Sequence, residues 1–354
     1  MTLPEPDWAA LAACPQDREF HAEGDVAIHT RMVEEALRSL ESFKALSESD
    51  RELMLSAARW HDVGKPATTR EVEGRVTSNG HSRRGELMVR RRFYEAGVDP
   101  RTREEIAGLV RAHQIPFHAL AEGGLLRVFR ASLSCRMSRL AMLARADNMG
   151  RKSRGQKETA ESIELFEELC REQGCLDERR PFPSDHSRFL FFRLRGERDP
   201  DYLAFDDTQC EMVMMSGLPA AGKDTWVKAN CKTWPIVALD ALRTEMDIDP
   251  EDAQGEVVQR ARELLREHLR VRRSFVLNAT NLSSTMRERW IGLAADYHAR
   301  VRIVYVETPL ATLLARNRAR PEEMRVPERV ILALLDKWDM PSLSEAHAVE
   351  VHFG

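Results

Sequence analysis

The apolar stretch EMVMMSG runs directly into the glycine-rich stretch GLPAAGKDTW, and this junction constrains the fold more than any other part of the chain. Gly217, Gly222 and Lys223 stand at the spacing of a phosphate-binding loop, G-x-x-x-x-G-K-[ST]. Such a loop requires a buried strand before it and a helix after it, because backbone N–H groups and the helix N-terminus must converge on an anion. The junction therefore predicts an α/β sheet around it.

The rest of the second half alternates in the same way. Four further apolar stretches predict strands: PIVAL, SFVLN, VRIVYVE and AVEVHF. The segments between them have helical periodicity, at residues 252–270, 285–298, 310–318 and 327–338. Strands that are apolar throughout, each followed by a helix, indicate a parallel sheet covered on both faces.

The first half predicts helices instead. Apolar residues recur at three- and four-residue spacing over residues 25–43, 49–61, 82–96, 101–112, 134–148 and 157–173, while EVEGRVTSNG predicts a short hairpin. Residues 176–206 form a boundary segment rich in proline and charge. The 354 residues suffice for two cores. We therefore expect an all-α domain over residues 1–200, including most of the boundary segment, and an α/β P-loop domain over residues 207–354.

Composition narrows the class of protein. The net charge of −4 argues against a protein that slides along nucleic acid, but it permits one that holds a few phosphates at a strand end. No apolar run approaches a membrane span, and the N-terminus lacks the features of a signal peptide. The six cysteines are scattered without a C-x-x-C pair. We expect a reduced, cytoplasmic protein with no membrane partner.

Polar residues follow the later strands of the second half. Asp240 and Arg243 come after the second strand, three residues apart and therefore on one face of a helical turn. There the carboxylate could accept the proton of an attacking hydroxyl, and the arginine could hold a phosphate. The simpler alternative is a helix-capping aspartate beside a solvated arginine. Arg316 and Arg320, four residues apart, could both reach a triphosphate.

The order GLPAAGKDT, D-x-x-R, ATNLSSTMR and PLATLLARNRAR, followed by VPERV, resembles the polynucleotide 5′-kinase branch of P-loop phosphotransferases. The resemblance implies that Lys223 binds the β- and γ-phosphates of ATP or another NTP with Mg²⁺. It makes Asp240 the general base on a 5′-hydroxyl and Arg243 the ligand of the adjacent phosphate. It also implies that three arginines face the substrate or the nucleotide, namely Arg287 and the lid residues Arg316 and Arg320.

Two positions depart from that pattern. Asp224 stands where the loop usually has Ser or Thr, and Asn278 ends the third strand where this kinase branch usually has Asp. We interpret the two differences as one exchange, in which the carboxylate usually found at the end of the third strand is carried by the loop instead. Because Mg²⁺ prefers oxygen ligands and keeps several waters, Asp224 could hold it directly or through water, with the Thr225 hydroxyl beside it.

Six of the 11 histidines lie within the first 118 residues. The phrase ARWHDVGKPATT, together with flanking histidines and a later aspartate, resembles the HD phosphohydrolase superfamily and its signature H…HD…D. The resemblance implies metal ligands His29, His61, Asp62 and Asp147, with His81 and His113 as the extra histidines of two-metal members. The stretch CPQDREFHAEGDVAIHT is also similar to the HD module attached to some tRNA nucleotidyltransferases.

The residue types fit such chemistry. Imidazoles and carboxylates suit one or two divalent transition metals: Mn, Ni, Co, Cu, Fe or Zn. Asp62 could bridge two ions, and Lys65 could add charge to a phosphate oxygen. His21 and His118 are interpreted as ordinary structural histidines. The basic run RKSRGQK could guide a nucleic-acid 3′ end.

The whole chain resembles the bacterial HD-Pnk family of bifunctional RNA end-healing enzymes. That family implies an NTP-dependent 5′-hydroxyl kinase joined to a metal-dependent activity that removes 2′,3′-cyclic phosphates, 2′-phosphates and 3′-phosphates. It implies RNA or single-stranded DNA ends as substrates and an RNA ligase as functional partner. The residues alone indicate only an NTP phosphotransferase and a metal phosphohydrolase.

Alternatives remain at this point. One is a nucleotide-metabolism enzyme that combines an HD nucleotidase with a kinase of nucleosides or nucleotides. Another is a non-catalytic, nucleotide-sensing RNA-binding protein, with Asp224 and Asn278 as marks of a lost kinase; the retained Asp240 and arginines argue against it. A GTPase switch is disfavoured because no N-K-x-D motif occurs, and a tRNA nucleotidyltransferase because no room remains for a polymerase domain.

Overall fold

The computed structural model describes residues 3–153, 155–249 and 254–354. The chain divides into two compact units, Met1–Pro181 and Phe182–Gly354. Two predicted features lie partly outside the described residues: the start of the helix at residue 252 and Arg154 of the basic run.

The first unit is helical apart from one hairpin. Its helices are α1 Trp8–Ala12, α2 Val26–Ser39, α3 Glu41–Lys44, α4 Glu48–Trp60, α5 Lys65–Thr68, α6 His81–Glu95, α7 Pro100–Ala112, α8 Gly124–Ser132, α9 Met137–Met149 and α10 Gln156–Glu172, with a 3₁₀ turn at Ile115–His118. The hairpin pairs β1, Arg70–Val72, with β2, Arg75–Thr77. The predicted helices and hairpin are confirmed.

Four of these helices form the centre of the first unit. Helix α4 packs against α2, α7 and α9, and α9 also packs against α2 and α7. Capping side chains help to define their starts: Asp25 accepts a hydrogen bond from the Ile28 N–H at the start of α2, and Ser47 accepts one from Asp50 at the start of α4. Because these amphipathic helices converge, the polar residues at their inner ends come together.

The second unit is an α/β domain. Its elements are α11 Asp185–Arg193, β3 Cys210–Ser216, α12 Lys223–Asn230, β4 Ile236–Ala238, α13 Leu239–Met246, α14 Gly255–Arg270, β5 Phe275–Asn278, α15 Ser284–Asp296, β6 Ala299–Glu307, α16 Leu310–Arg318, a 3₁₀ turn at Glu322–Met324, α17 Glu328–Leu335 and β7 Ala348–Phe353. The five strands are ordered β4-β5-β3-β6-β7, and every neighbouring pair is parallel. The predicted parallel sheet is confirmed.

Burial in the central strand explains its apolar sequence. Residues 212–215 of β3 are all buried, so both faces of the sheet are covered. The chain leaves β3 for the β5 side of the sheet and later returns to the β6 side. The loop after β3 therefore lies where the strand order reverses, which is where open α/β sheets bind ligands.

The boundary between the units differs from the predicted one. Helix α11 lies inside the segment that we assigned to the first domain, yet Phe189 belongs to the core of the second unit. The Phe189 ring stacks on His347 with centroids 4.1 Å apart, and Arg188 donates hydrogen bonds to the carbonyls of Leu343 and His347. The prolines and charges indicated a boundary, but they surround a helix whose Phe189 side chain packs into the core of the second unit.

Two predictions from composition concern the whole chain. All six cysteines are free, and five of them are buried, as expected for small apolar residues. Among the described residues, no helix combines the length and apolarity that a membrane crossing requires.

Candidate functional sites

The first unit brings the predicted metal ligands into one buried cluster. His61 and Asp62 directly follow α4, and each of the other four ligands lies on or directly after a different helix, namely α2, α6, α7 or α9. All six are almost fully buried: His29, His61, Asp62, His81, His113 and Asp147. Helices α2, α4, α7 and α9, together with the start of α6, thus bring together residues that are far apart in sequence.

The ligand atoms form two groups that meet at Asp62. His29, His61 and Asp147 make one group, and Asp62, His81 and His113 make the other. In the first group, His29 Nε2 lies 3.2 Å from Asp147 Oδ1 and 3.3 Å from His61 Nε2. In the second, His81 Nε2 lies 3.2 Å from His113 Nε2.

The Asp62 carboxylate faces both groups. Its Oδ1 lies 3.3 Å from His81 Nε2 and 3.7 Å from His113 Nε2, whereas its Oδ2 lies 3.2 Å from His61 Nε2. This is the arrangement expected of a carboxylate that bridges two metal ions, as the sequence suggested.

Three of the histidines are oriented by the backbone. The Nδ1 atoms of His61, His81 and His113 lie 2.7 to 2.8 Å from carbonyl oxygens three residues earlier. A carbonyl can only accept, so each Nδ1 carries the proton and each Nε2 keeps a free lone pair for a metal. The donor set therefore fits divalent transition metals.

The surroundings of both carboxylates and of His113 favour the forms of these three groups that bind metal. Burial by itself would raise the pKa of Asp62, but the charges of Lys65 and His61 more than offset it and hold that pKa well below its ordinary value. The pKa of Asp147 is likewise low, because Arg151 and His29 outweigh the effect of burial. Burial also lowers the pKa of His113 to about 3. The carboxylates are thus ionised and His113 is neutral.

Two cations accompany these ligands. The Lys65 ammonium lies 2.7 Å from Asp62 Oδ2 and donates to Gln16 Oε1, also at 2.7 Å. Arg151, the first residue of the basic run RKSRGQK, donates to both Asp147 oxygens at 2.8 and 2.9 Å, a contact that we did not predict from the sequence. Its position four residues after Asp147 was the available signal, since residues at that spacing share a helix face.

A second missed residue is Glu23. Its Oε1 lies 2.9 Å from His29 Nδ1 and 2.8 Å from His21 Nδ1. A carboxylate behind a ligating histidine fixes the ring and raises its basicity. His21, interpreted from sequence as an ordinary structural histidine, thus belongs to this support, whereas His118 is exposed.

One glycine of the phrase HDVGK has a packing reason. A Cβ on Gly64 would lie 2.1 Å from the carbonyl oxygen of His81. Only glycine allows the turn after Asp62 to approach the start of α6 so closely. That approach places Asp62 beside His81.

In the second unit, the phosphate loop joins β3 to α12 as predicted. Gly217 has φ +142°, and a Cβ there would lie 2.4 Å from the carbonyl oxygen of Val306. Gly222 also has positive φ and directly precedes α12. The Lys223 ammonium donates to the carbonyls of Gly217 and Leu218 at 3.0 and 2.9 Å, and its burial lowers the pKa of Lys223 to about 8.

The two unusual positions of this site are in contact. Asn278 Nδ2 donates a hydrogen bond to Asp224 Oδ1 at 2.6 Å, joining the end of β5 to the start of α12. One carboxylate and one amide therefore occupy the place where Mg²⁺ would bind. Thr225 is exposed next to Asp224, and both residues line a cavity.

Asp240 and Arg243 form an ion pair at the start of α13. Arg243 is also held through Nε by Gln254 Oε1 at 2.6 Å, whereas the Asp240 carboxylate is almost fully exposed. The charges of Asp240 and Arg320 both act on the loop lysine, Lys223, the first raising its pKa and the second lowering it.

A cavity of about 650 Å³ opens beside the loop. Lys223, Asp224, Arg316 and Arg320 all line it, so the structure brings the predicted loop and lid residues together. Arg316 is anchored by a 2.9 Å hydrogen bond to the Thr308 hydroxyl. The volume and basic lining suit a nucleotide.

Arg287 does not reach this cavity, which corrects its assignment as a nucleotide- or substrate-facing residue. The side chain is fully buried and bound to Glu345 through Nε and Nη2 at 2.7 and 3.0 Å. Its Nη1 donates to three backbone carbonyls, those of Asn281, Leu282 and Asp339. These donors are used within the protein, so Arg287 is a structural residue.

Comparison with known proteins agrees with both domains. Residues 26–163 match the HD domain family, and residues 212–341 match the AAA domain family. A stretch of 142 residues is 25% identical to L-seryl-tRNA(Sec) kinase of Methanococcus maripaludis, covering 38% of this chain. The match spans about half of that relative, 55% of its length.

Solved structures give weaker matches. Chaetomium thermophilum Kti12 in complex with ADP-AlF3 is 14% identical, with a TM-score of 0.32 over 41% of this chain and 88% of that one. A sugar kinase from Janibacter sp. is also 14% identical, with a TM-score of 0.33 over 41% of this chain and 85% of that one. The two family matches show that the protein consists of an N-terminal HD domain followed by a P-loop kinase-like domain.

Proposed function

We propose that the protein heals RNA ends. Its P-loop domain phosphorylates 5′-hydroxyl ends with ATP or another NTP, and its HD domain removes 2′,3′-cyclic phosphates, 2′-phosphates and 3′-phosphates. The observation that supports this proposal is that one chain carries a buried cluster of candidate metal ligands in an HD domain and a phosphate loop beside a basic cavity in a P-loop kinase-like domain. The name of the matched L-seryl-tRNA(Sec) kinase, which denotes an RNA-linked acceptor, supports an RNA substrate.

In the kinase, the loop N–H groups and Lys223 bind the nucleotide phosphates. Asp240 accepts the proton of the attacking 5′-hydroxyl, and Arg243, held beside it, binds the neighbouring phosphate of the strand. Arg316 and Arg320 neutralise the charge on the transferred group. Asp224 and Thr225 would hold Mg²⁺, which would offset the negative charge of the nucleotide phosphates when bound.

In the HD domain, the two ligand groups that meet at Asp62 would hold divalent transition metals, which supply Lewis-acid activation of a phosphoryl group and a water. Lys65 contributes positive charge on the Asp62 side and Arg151 on the Asp147 side. Both can bind phosphoryl oxygens as negative charge develops.

The products indicate the next reaction. A 5′-phosphate and a 3′-hydroxyl are the ends that an RNA ligase joins, so a ligase is the functional partner that we propose. Single-stranded DNA ends are the other substrates that the kinase site would accept. The reaction belongs in the cytoplasm.

An RNA with a 5′-hydroxyl and a 2′,3′-cyclic phosphate tests the proposal. It is incubated with ATP, Mg²⁺ and either Mn, Ni, Co or Cu, while both ends are followed. Asp240→Ala should abolish only 5′ labelling, and Asp62→Ala only 3′ healing. Loss of both activities in either variant contradicts two separate sites. Phosphorylation of nucleosides but not of the oligonucleotide would favour the nucleotide-metabolism alternative.

A further inference from the structure

A short segment, residues 16–23, is attached to the metal cluster at both ends; we call it the strap. At one end Gln16 accepts the Lys65 hydrogen bond, and at the other Glu23 contacts His29. Phe20 lies in the middle of the strap and is 49% exposed. The next residue, His21, has its ring 4.8 Å from that of His29. Phe20 is therefore an accessible aromatic residue at the edge of the cluster.

An arginine of the hairpin lies over this ring. The guanidinium carbon of Arg75 is 5.8 Å from the Phe20 centroid. Its Nη2 donates to Glu19 Oε2 at 3.0 Å, and its Nε lies 3.6 Å from Asp17 Oδ2. The two carboxylates of the strap occupy the guanidinium edge and offset its charge. Arg75 is thereby poorly suited to anchor a phosphate, but its planar faces remain suited to stacking.

The strap is also fixed on its other side. The Lys152 N–H donates to Glu23 Oε2 at 2.9 Å, and the Ala22 N–H donates to the Lys152 carbonyl at 3.0 Å. Together with the contacts of Arg75, these bonds hold Phe20 in one place relative to the metal ligands. A platform held in this way loses little entropy when a flat group binds to it.

We propose that Phe20 and Arg75 form a subsite on which the terminal nucleobase of the strand stacks while its phosphate is hydrolysed at the metal cluster. The inference rests on the proposed RNA-end substrate of the HD domain. Single-stranded nucleic acid is commonly bound through bases stacked on aromatic rings and on guanidinium planes. The base and the 2′- or 3′-phosphate share one ribose, so a platform beside the cluster can hold the base. Every base has a flat face, so all four bases fit.

A second aromatic residue near the cluster is less suited to this role. Arg151 lies over Phe117 at 5.2 Å, but it also holds both oxygens of Asp147. A substitution of Phe117 or Arg151 would therefore disturb the predicted metal ligand Asp147. The contacts described for Arg75 are with Phe20, Glu19 and Asp17, none of them a predicted metal ligand, so substitution of this pair is designed to separate base binding from metal binding.

The test compares two dinucleotides with 2′,3′-cyclic phosphate ends, one intact and one whose terminal nucleotide lacks its base. For the wild-type protein, removing the base should raise KM on the order of tenfold and leave kcat nearly unchanged. Phe20→Ala should raise KM for the intact substrate by a similar factor and show no further loss with the abasic one. Phe20→Trp should retain the base dependence, and Arg75→Lys, which keeps charge without a plane, should weaken it.

A control and a binding measurement complete the test. Phe205, 85% exposed in the other unit, is the matched aromatic, and Phe205→Ala should leave the base dependence intact. Metal-free protein should bind a 3′-phosphorylated dinucleotide more weakly after Phe20→Ala, in the same proportion as KM rises. Equal KM values for the intact and the abasic substrate in the wild type would contradict the subsite. The same holds if Phe20→Ala keeps the wild-type difference in KM between the two substrates. Neither result would contradict the proposed phosphohydrolase activity. If the wild type opens neither substrate, the proposed function fails, and the binding measurement still decides the subsite.

Discussion

At the residue scale, Asp224 replaces the hydroxyl that a phosphate loop presents to Mg²⁺, and it contacts Asn278. We expect Asp224→Ala to raise the Mg²⁺ concentration needed for half-maximal kinase activity by about tenfold, because an oxygen ligand is lost. Asp224→Ser, which restores the usual loop residue, should retain most of the activity. A Mg²⁺ titration of 5′ phosphorylation measures both variants. Full activity of Asp224→Ala across the titration contradicts the metal role.

Glu23 is predicted to act through His29. Glu23→Gln keeps the shape of the side chain but removes the negative charge beside His29 Nδ1. We expect the HD domain to bind divalent transition metals about 10- to 100-fold more weakly. Competition with a metal-binding dye measures this affinity without any substrate. Glu35→Gln, at an exposed position of α2, is the matched control and should leave the affinity unchanged. Equal affinities in the two variants would contradict the supporting role.

At the element scale, Arg287 ties α15 to the loop before β7 through Glu345 and three backbone carbonyls. Arg287→Ala removes five hydrogen bonds from a buried guanidinium and leaves the Glu345 carboxylate without its ion-pair partner, so it should cost about 3–5 kcal/mol of unfolding free energy. Urea unfolding measures the loss, with Arg289→Ala, exposed on the same helix, as the control. Unchanged stability with weaker ATP binding would instead restore the assignment of Arg287 to the nucleotide site.

Helix α11 shows why the boundary was placed too late in the chain. Its sequence combines apolar rings with flanking prolines and charges, and local composition alone cannot say which core receives the rings. The contacts of Phe189 and Arg188 assign the helix to the α/β unit.

At the scale of the whole molecule, the division at residue 181 can be tested with fragments. A fragment that begins at Phe182 should fold and phosphorylate 5′-hydroxyl ends. One that begins at residue 201 lacks Phe189 and should melt about 10 °C lower, because a buried phenylalanine has left the core. Thermal unfolding followed by circular dichroism compares them. Identical melting temperatures would show that α11 is not part of the second unit.

The sequence by itself determined the two fold classes, the strands and helices, and most residues of both sites. Periodicity reports which face of an element is buried, and the motifs place Lys223, Asp62 and their partners at fixed spacing. Periodicity is a property of a short stretch of sequence, and the motifs occur in a recognisable order along the chain. Both can therefore be identified from the sequence alone.

Only the tertiary structure decided which side chains meet. It turned the two faces of Asp62 toward separate groups of histidines, joined Asp224 to Asn278, enclosed Arg287 in the core, and placed Glu23 and Arg151 behind metal ligands. These contacts join residues from different elements or depend on how a side chain is packed. Their distances are fixed by the packing of whole helices and strands, which spacing along the chain does not specify.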